Sequence, residues 1–375
     1  MNLFKNPIKE PPLGILKEGK EAVLNWFKQI DEQGTEYLYE ARIIIVGEPG
    51  SGKTTLFRKL KDENIPVPDK NQKSTHGINI SYNREFNHSE KNDCVLKAHI
   101  WDFGGQDIQK LLHQYFFTSD NLYILVCDQR SEKTRFDYWF EIISRLSKKS
   151  QVLIVRNLLE LKSAAQAFNV SEYETRFSNI SIKYIDVDFS KNDTRWKLLL
   201  EEIENSLSDL DKINEPVPKL WKVVRSDILA LKEKNKKYLT LTEFQNICEE
   251  RELKEEDDYL PLIKYLHRLG FILYYEESAL SNHIFINPDW ITQGLYEVLK
   301  SQAISNKDAG FFEKDELFKK WQKKGYKLEE RNLLLNLMLK DKFDICYNLN
   351  NSETYLVPIL LSDSKQPRPK DVALR

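Results

Sequence analysis

The chain has 375 residues, enough for two or three domains with cores of their own. With 41% hydrophobic and 30% charged residues it is ordinary for a soluble globular protein, and 56 Lys+Arg against 58 Asp+Glu leave a net charge of −2, which gives no electrostatic pull toward nucleic acid or an anionic membrane. Four scattered cysteines (Cys94, Cys127, Cys248, Cys346) with no C-x-x-C pair argue against a zinc knuckle or a disulfide framework and for a reducing, cytoplasmic setting, and no apolar run approaches the ~20 residues needed to cross a bilayer.

Residues 1 to 12 read as an extended segment without the apolar core of a signal peptide. Leu3, Asn6-Pro7 and Pro11-Pro12 resemble the closing turn of a leucine-rich repeat, so 1–34 is expected to hold the edge of such a repeat and a joining helix. That helix is predicted from 13 to about 33, because Ile15, Val23, Trp26, Phe27 and Ile30 recur at helical spacing and Gly34 supplies a stop. It is expected to pack on the domain that follows.

Residues 35 to 208 alternate short β runs with amphipathic helices, the pattern of a mostly parallel sheet covered on both faces. Strands are predicted near 41–46, 78–86, 95–101, 121–127, 151–155 and 182–187, with helices near 53–62, 108–116, 132–147, 161–173 and 193–208. The first strand runs directly into Gly47-Glu48-Pro49-Gly50-Ser51-Gly52-Lys53-Thr54-Thr55 and then a helix. This is G-x-x-x-x-G-K-T, a phosphate loop: its glycines let backbone N–H groups and the helix N-terminus face a polyphosphate, Lys53 reaches the terminal phosphates, and the Thr54 hydroxyl can ligate Mg²⁺. The loop implies a nucleoside triphosphate without saying which one. A long polar stretch, 62–77, follows the helix, and loops of that length inside a compact domain are usually functional.

Further on, Ile100-Trp101-Asp102-Phe103-Gly104-Gly105-Gln106 ends a strand and opens a turn. Asp102 can hold the Mg²⁺ shell, the Gly105 amide can bond a γ-phosphate, and Gln106 can orient an attacking water. In the long loop, Thr75 of Ser74-Thr75-His76-Gly77-Ile78 could complete the Mg²⁺ shell; Thr-x-Gly taken alone is more often a plain turn, and its position between the phosphate loop and W-D-x-x-G-Q is what favours the functional reading.

Residues 209 to 218, with Asn214, Pro216 and Pro218, read as a linker. Beyond it the pattern becomes helices followed by short aromatic strands, twice over. One unit runs from Leu241-Thr242-Glu243-Phe244 through a second helix to Gly270 and a hairpin at 271–275 and 283–286; a looser one has helices near 313–323 and 328–340 and strands near 343–347 and 354–357. Two helices and a hairpin, repeated, suggest winged-helix-like modules.

The phosphate loop, Thr75-x-Gly77-Ile78, Trp101-Asp102-Phe103-Gly104-Gly105-Gln106 with His113-x-Tyr115-Phe116, and Tyr123 to Asp128 with Arg130 resemble the Ras-like Roc domain of the Roco proteins. Trp26-Phe27, Leu266-x-x-Leu269-Gly270, Asn287-Pro288-Asp289-Trp290 and Tyr355-Leu356-Val357-Pro358 extend the resemblance to the preceding helix and to the first half of the COR domain. It implies a Ras-like GTPase domain over 35–208 and a COR half over 219–375, with GTP/GDP and Mg²⁺ as cofactors. It also implies a switch that hydrolyses GTP slowly and passes its state to COR, with protein partners through the COR region and a possible homodimer of the full-length protein.

The departure lies in the base-reading loop. Where Ras-like GTPases carry N-K-x-D, this chain has Asn157-Leu158-Leu159-Glu160, which keeps Asn157, lacks the lysine, and moves the carboxylate one methylene outward. The S-A loop is unrecognisable around Val187-Asp188-Phe189-Ser190. Other readings of the same residues are a signal-transduction ATPase using Asp128 as its magnesium aspartate, and a nucleotide-holding interaction module with Pro49 narrowing the site. A third, DNA binding through the winged helices, is opposed by Lys254-Glu255-Glu256-Asp257-Asp258 at the recognition helix, which would repel phosphates.

Overall fold

The structure is a computed structural model and describes residues 10–66, 78–104, 117, 120–128, 134–146, 150–158, 168–276, 280–299, 310–339, 345–349 and 352–358. The chain divides into two compact units, the larger reaching to Tyr275 together with 281–287 and the smaller running from Pro288 onward.

The expected N-terminal helix is two helices, α1 (Leu13–Lys17) and α2 (Lys20–Gln33), because Gly19 between them sits at φ +101°, outside the helical region. Strand β1 (Thr35–Tyr37) leads into β2 (Glu40–Val46), which is buried along its whole length. Then come α3 (Lys53–Lys61), β3 (Ile78–Asn87), β4 (Val95–Phe103), β5 (Leu122–Asp128), α4 (Phe136–Leu146), β6 (Gln151–Asn157), α5 (Val170–Arg176), β7 (Ser181–Val187) and α6 (Thr194–Ser208). The helix expected at 108–116 and the first part of that expected at 161–173 lie outside the described residues.

The sheet order is β3-β4-β2-β5-β6-β7, parallel throughout except for the antiparallel edge strand β3. From β2 the chain crosses to the edge strand β3, comes back inward as β4, and then builds the other side from β5. The crevice beyond the carboxyl ends of β2 and β5 is therefore the topological switch point, where ligands bind in open α/β sheets. Alternation along β2 places Ala41, Ile43 and Ile45 in a core with Leu56 and Leu60 of α3 and Trp196, Leu199, Ile203 and Leu207 of α6. Arg42 points to the other face, its guanidinium 4.5 Å from the centre of the Trp101 ring.

The stretch read as a linker is structured and largely buried. A 3-10 turn at Asp211–Asn214 is followed by β8 (Pro216–Pro218), which pairs antiparallel with β1. Ile213 and Val217 are fully buried and Lys212 donates to Asn121 Oδ1 at 2.8 Å, so the segment closes the base of the sheet domain rather than tethering two bodies.

Next come α7 (Lys219–Glu233), β9 (Tyr238–Thr240), α8 (Leu241–Glu249), α9 (Glu256–Leu269), β10 (Leu273–Tyr274) and β11 (His283–Phe285), with the three strands in the order β10-β11-β9. Helix α8 starts where Thr240 and Glu243 form a reciprocal capping box, and α9 ends at Gly270 in the left-handed region. The smaller unit repeats the order: α10 (Pro288–Leu299), β12 (Phe311–Glu313), α11 (Lys314–Lys323), α12 (Leu328–Leu339), β13 (Tyr347–Asn348) and β14 (Thr354–Leu356), with sheet order β12-β14-β13. Among the described residues each module is thus helix, strand, helix, helix, strand, strand.

Among the described residues the N-terminal helices pack on the first module, not on the sheet domain as expected. Ile15 and Trp26 join the core of the first module with Val217, Trp221, Leu262 and Leu266. Trp221 Nε1 donates to Gln29 Oε1 at 2.9 Å, and Asn25 donates to the Asp257 carbonyl and the Asp258 carboxylate at the start of α9. The start of α9 is thus tied to α2 through Asn25, while Lys254 to Asp257 remain exposed and acidic on balance.

The first module is joined to the sheet through buried charge. Arg225 of α7 donates Nε (2.8 Å) and Nη2 to the carboxylate of Glu40, the first residue of β2. His99 of β4 meets the same oxygen through Nε2 at 3.4 Å while its Nδ1 accepts from the Asn83 amide at 3.5 Å, which assigns the Nε2–H tautomer. Burial pulls His99 below its ordinary pKa, so the ring is neutral. A Cβ at Gly270 would fall 1.2 Å from Arg42 Nη2, so the end of α9 lies directly against that guanidinium.

Candidate functional site

The phosphate loop springs from the carboxyl end of β2, at the switch point. Two of its glycines are dictated by neighbours. A Cβ at Gly47 (φ +142°) would sit 2.2 Å from the Val126 carbonyl oxygen, and one at Gly52 (φ +103°) would sit 2.9 Å from Asn157 Nδ2 and 3.2 Å from the Phe189 ring. The turn through Pro49, Gly50 and Ser51 delivers Lys53 and Thr54 to the first turn of α3, where free N–H groups and the helix dipole favour an anion. Thr55 follows on the same turn.

Lys53 is buried and donates Nζ to the carbonyls of Gly47 at 3.0 Å and Glu48 at 2.8 Å. Burial lowers its pKa to about 8, against the pull of Asp102 and Glu48. A cation with this little compensation is primed to take an anionic ligand.

On the neighbouring strand Asp102 is fully buried, in register beside Ile45. Its Oδ2 accepts from Thr54 Oγ1 at 2.8 Å and from Asn79 Nδ2 at 3.1 Å, so the hydroxyl and carboxylate expected to share a magnesium shell do meet. Burial raises its pKa despite those hydrogen bonds and the nearby Lys53. Its Oδ1 and the Ser51 hydroxyl are buried with no hydrogen-bond partner among the described residues. An orphaned carboxylate oxygen beside a threonine hydroxyl fits a hard, oxygen-preferring cation, and an orphaned serine hydroxyl inside the loop fits a phosphate oxygen. Asp128 ends β5 in register with Asn157, two strands away from Asp102, with β2 between them.

At the base side Asn157 ends β6 and accepts from the Phe189 amide at 3.4 Å, while its Nδ2 lies against Gly52. It thereby bridges the phosphate loop and the loop after β7. Leu158 is buried, and its amide donates to the Val187 carbonyl at 2.9 Å. Asp188 is buried too, its carboxylate taken by the Ser190 amide and hydroxyl at 2.9 and 2.6 Å and by Lys191 at 3.0 Å. Thr75, Gly105, Gln106 and Glu160 lie outside the described residues.

Four contributors were not read from the sequence. Asn79 joins the Asp102 carboxylate from β3. Lys59 of α3 donates to the carbonyls of Phe189 (3.0 Å) and Lys191 (3.2 Å) and to Asn192 Oδ1 (2.6 Å), binding the phosphate-loop helix to the loop after β7. Arg135 and Trp139, at the start of α4, both donate to the carboxylate of Glu48. The R-x-x-x-W spacing puts those two on one helical face, which was the available signal, but nothing local points that face at the phosphate loop.

Among the described residues no helix is long and apolar enough to cross a membrane, and no three His, Cys, Asp or Glu side chains gather as a metal cluster.

Comparison with known proteins agrees with this geometry. Residues 42–160 match the family described as Ras of Complex, Roc, domain of DAPkinase, and residues 218–361 match the C-terminal of Roc, COR-A domain. The probable serine/threonine-protein kinase pats1 of Dictyostelium discoideum is 27% identical over 390 residues, covering 96% of this chain and 12% of that protein. A Roc-COR-CHAT protease of Runella zeae is 27% identical over 356 residues, covering 90% of this chain and 37% of that protein, so the chain spans a minor part of either relative. The solved structure of Methanosarcina barkeri Roco2 RocCORdC bound to GDP is similar with a TM-score of 0.74 and 27% identity, over 88% of this chain and 98% of that one. With one family matched over the sheet domain and the other over the modules that follow it, the chain belongs to the Roco family, as a Roc Ras-like GTPase domain followed by a COR-A domain.

Proposed function

We propose that this chain is a guanine-nucleotide switch that binds GTP and GDP with Mg²⁺, hydrolyses GTP slowly, and passes its nucleotide state to the COR-A modules. The observation that carries the reading is the Thr54–Asp102 pair, whose second carboxylate oxygen is buried without a partner one strand away from the phosphate loop. Thr54 and Asp102 would hold the metal, with Thr75 completing the shell. Bound there, Mg²⁺ supplies charge neutralisation of the β- and γ-phosphate oxygens. Lys53 leaves the Gly47 and Glu48 carbonyls to reach the terminal phosphates, Ser51 and the α3 amides bind the phosphate oxygens, Gly105 bonds the γ-phosphate, and Gln106 orients the attacking water. The GDP of the Methanosarcina relative supports guanine as the base, with Glu160 reading its N1–H and N2–H and Asn157 fastening the base loop to the phosphate loop.

Hydrolysis is set at the slow end, on the order of 10⁻⁴ to 10⁻² per second, as for GTPases without an arginine supplied in trans. The loops 62–77 and 103–110 would order in the triphosphate state. The route onward runs along β2 and β4, which carry Glu40 at the start of β2 and His99 in the middle of β4 to Arg225 of the first COR-A module. Protein partners are expected at the COR modules, in a cytoplasmic setting. The test is to identify by mass the nucleotide that co-purifies and then follow its turnover. A guanine nucleotide hydrolysed only with Mg²⁺ is expected; adenine nucleotide alone in the site, or no nucleotide at all, overturns the reading.

A further inference from the structure

The stretch from Gly47 to Thr54 carries a single acidic side chain, Glu48, in a loop whose expected ligand is a polyphosphate. A carboxylate there repels the ligand unless something neutralises it. The Glu48 carboxylate is reached by Arg135 with two N–H groups, Nε to Oε1 at 3.3 Å and Nη2 to Oε2 at 3.4 Å. The indole of Trp139 donates to Oε1 as well, at 3.3 Å. This is the fork geometry of a paired guanidinium and carboxylate, with a third donor that is itself buried. The Glu48 side chain is only 13% exposed, so solvent screens the pair weakly on that side, although the Arg135 side chain is 52% exposed.

The backbone of the same residue is part of the phosphate loop's internal bonding. The Glu48 carbonyl accepts from Lys53 Nζ at 2.8 Å and from the Ser51 amide at 3.3 Å. Side chain and carbonyl of one residue are thus held from opposite directions, by α4 on one side and by the phosphate-binding groups on the other. Arg135 is positioned for this by the helix it precedes: its carbonyl accepts the Trp139 amide, and its guanidinium lies 5.2 Å from the Tyr138 ring centre.

We propose that Arg135, with Trp139, is a positioning residue of the nucleotide site, cancelling the charge of Glu48 and fixing the second residue of the phosphate loop. The inference rests on the nucleotide reading given above. Neither residue touches the phosphates; both act through Glu48. Removing the guanidinium leaves a poorly screened carboxylate beside the ligand's own negative charge, and removing the carboxylate as well abolishes the need for the guanidinium. The clamp also gives α4 a direct hold on the loop.

The experiment is titration of GDP, GTP and inorganic triphosphate, each with Mg²⁺, against the parent, Arg135→Ala, Glu48→Gln and the double variant, with thermal unfolding of each. Arg135→Ala is expected to weaken binding of all three ligands about tenfold, a change of about 1.4 kcal/mol. In the Glu48→Gln background the same substitution should cost less than about threefold, and Arg135→Lys should keep part of the affinity at low salt and lose it at high salt. A purely structural role would instead lower the unfolding midpoint equally in both backgrounds and leave the affinity of folded protein unchanged. Equal affinity of Arg135→Ala and the parent, or the same loss in both backgrounds, overturns the proposal. If the parent prefers adenine nucleotides but shows the same rescue, the guanine reading falls and the clamp stands. If it binds no polyphosphate, both fall.

Discussion

Replacing Arg225 by methionine removes the guanidinium from Glu40 while keeping most of the side chain's apolar bulk against Phe271, over whose ring the guanidinium sits at 4.4 Å. The carboxylate is then left with one hydrogen bond of 3.4 Å from a neutral imidazole. Glu40, His99 and Arg225 have side chains only 11, 7 and 8% exposed, so water cannot replace the lost partner without opening the junction. Breaking a buried pair from one side costs about 3–5 kcal/mol, and the retained His99 bond puts Arg225→Met at the lower end, about 3 kcal/mol. At ~2–4 °C per kcal/mol for a domain of this size, the unfolding midpoint should drop by roughly 6–12 °C. The double variant Arg225→Met/Glu40→Gln should recover a good part of this, because no charge remains to be buried.

The pH dependence has a definite sign. In the parent, burial alone would raise the Glu40 pKa, but the His99 hydrogen bond and the Arg225 charge outweigh it and hold it below the ordinary value of 4.5. Glu40 therefore contributes stability that is present above 4.5 and lost as pH falls through its folded value. Without Arg225 much of that opposition to burial is gone and the carboxyl protonates at higher pH, so the gap between variant and parent is widest near neutrality and narrows on acidification. Urea unfolding at several pH values reads both effects. A variant within about 0.5 kcal/mol of the parent at neutral pH, or a double variant no more stable than the single one, would refute a buried charge pair at this junction.

Three further outcomes test the nucleotide site. Lys53→Ala should lose at least about tenfold in Mg²⁺-nucleotide affinity while the circular dichroism spectrum is kept, and nucleotide binding by the parent should weaken as pH rises through about 8, where Lys53 gives up its proton. Gln106→Leu should slow single-turnover hydrolysis by an order of magnitude or more without changing affinity, and an unchanged rate would take Gln106 out of the mechanism. Competition between GTP and ATP should show a guanine preference of about 1 to 3 kcal/mol that Glu160→Ala erases and Glu160→Asp widens; equal affinities in the parent would mean that this loop does not read the base.

The features legible in the sequence are those whose physics is local. A buried parallel strand announces itself as a continuous apolar run, and the six strands of the sheet fall within a few residues of where those runs lie. The phosphate loop is contiguous, so its glycines, lysine and threonine can be recognised without knowing what surrounds them. Asp102 was readable because a strand end followed by Gly104-Gly105-Gln106 keeps its own pattern, and Gly270 because a helix stop needs only a residue that tolerates positive φ.

Only the tertiary structure decided the rest, wherever a property depends on partners far along the chain. Strands β9 and β12 are three residues each, too short for any period to show, and exist because hairpins more than thirty positions later pair with them. The N-terminal helix looked like a cover for the domain next to it, but its Asn25, Trp26 and Gln29 meet residues some two hundred positions away, since an apolar stripe specifies that a face is buried and not against what. The prolines of 209–218 suggested a tether; they form an edge strand, where the missing N–H is tolerated, and their neighbours are buried. Glu48 and Arg135 are 87 residues apart, and neither type is unusual in its own segment. Their pairing follows from the parallel sheet, which carries the ends of β2 and β5 to the same crevice and so brings the phosphate loop and the start of α4 together.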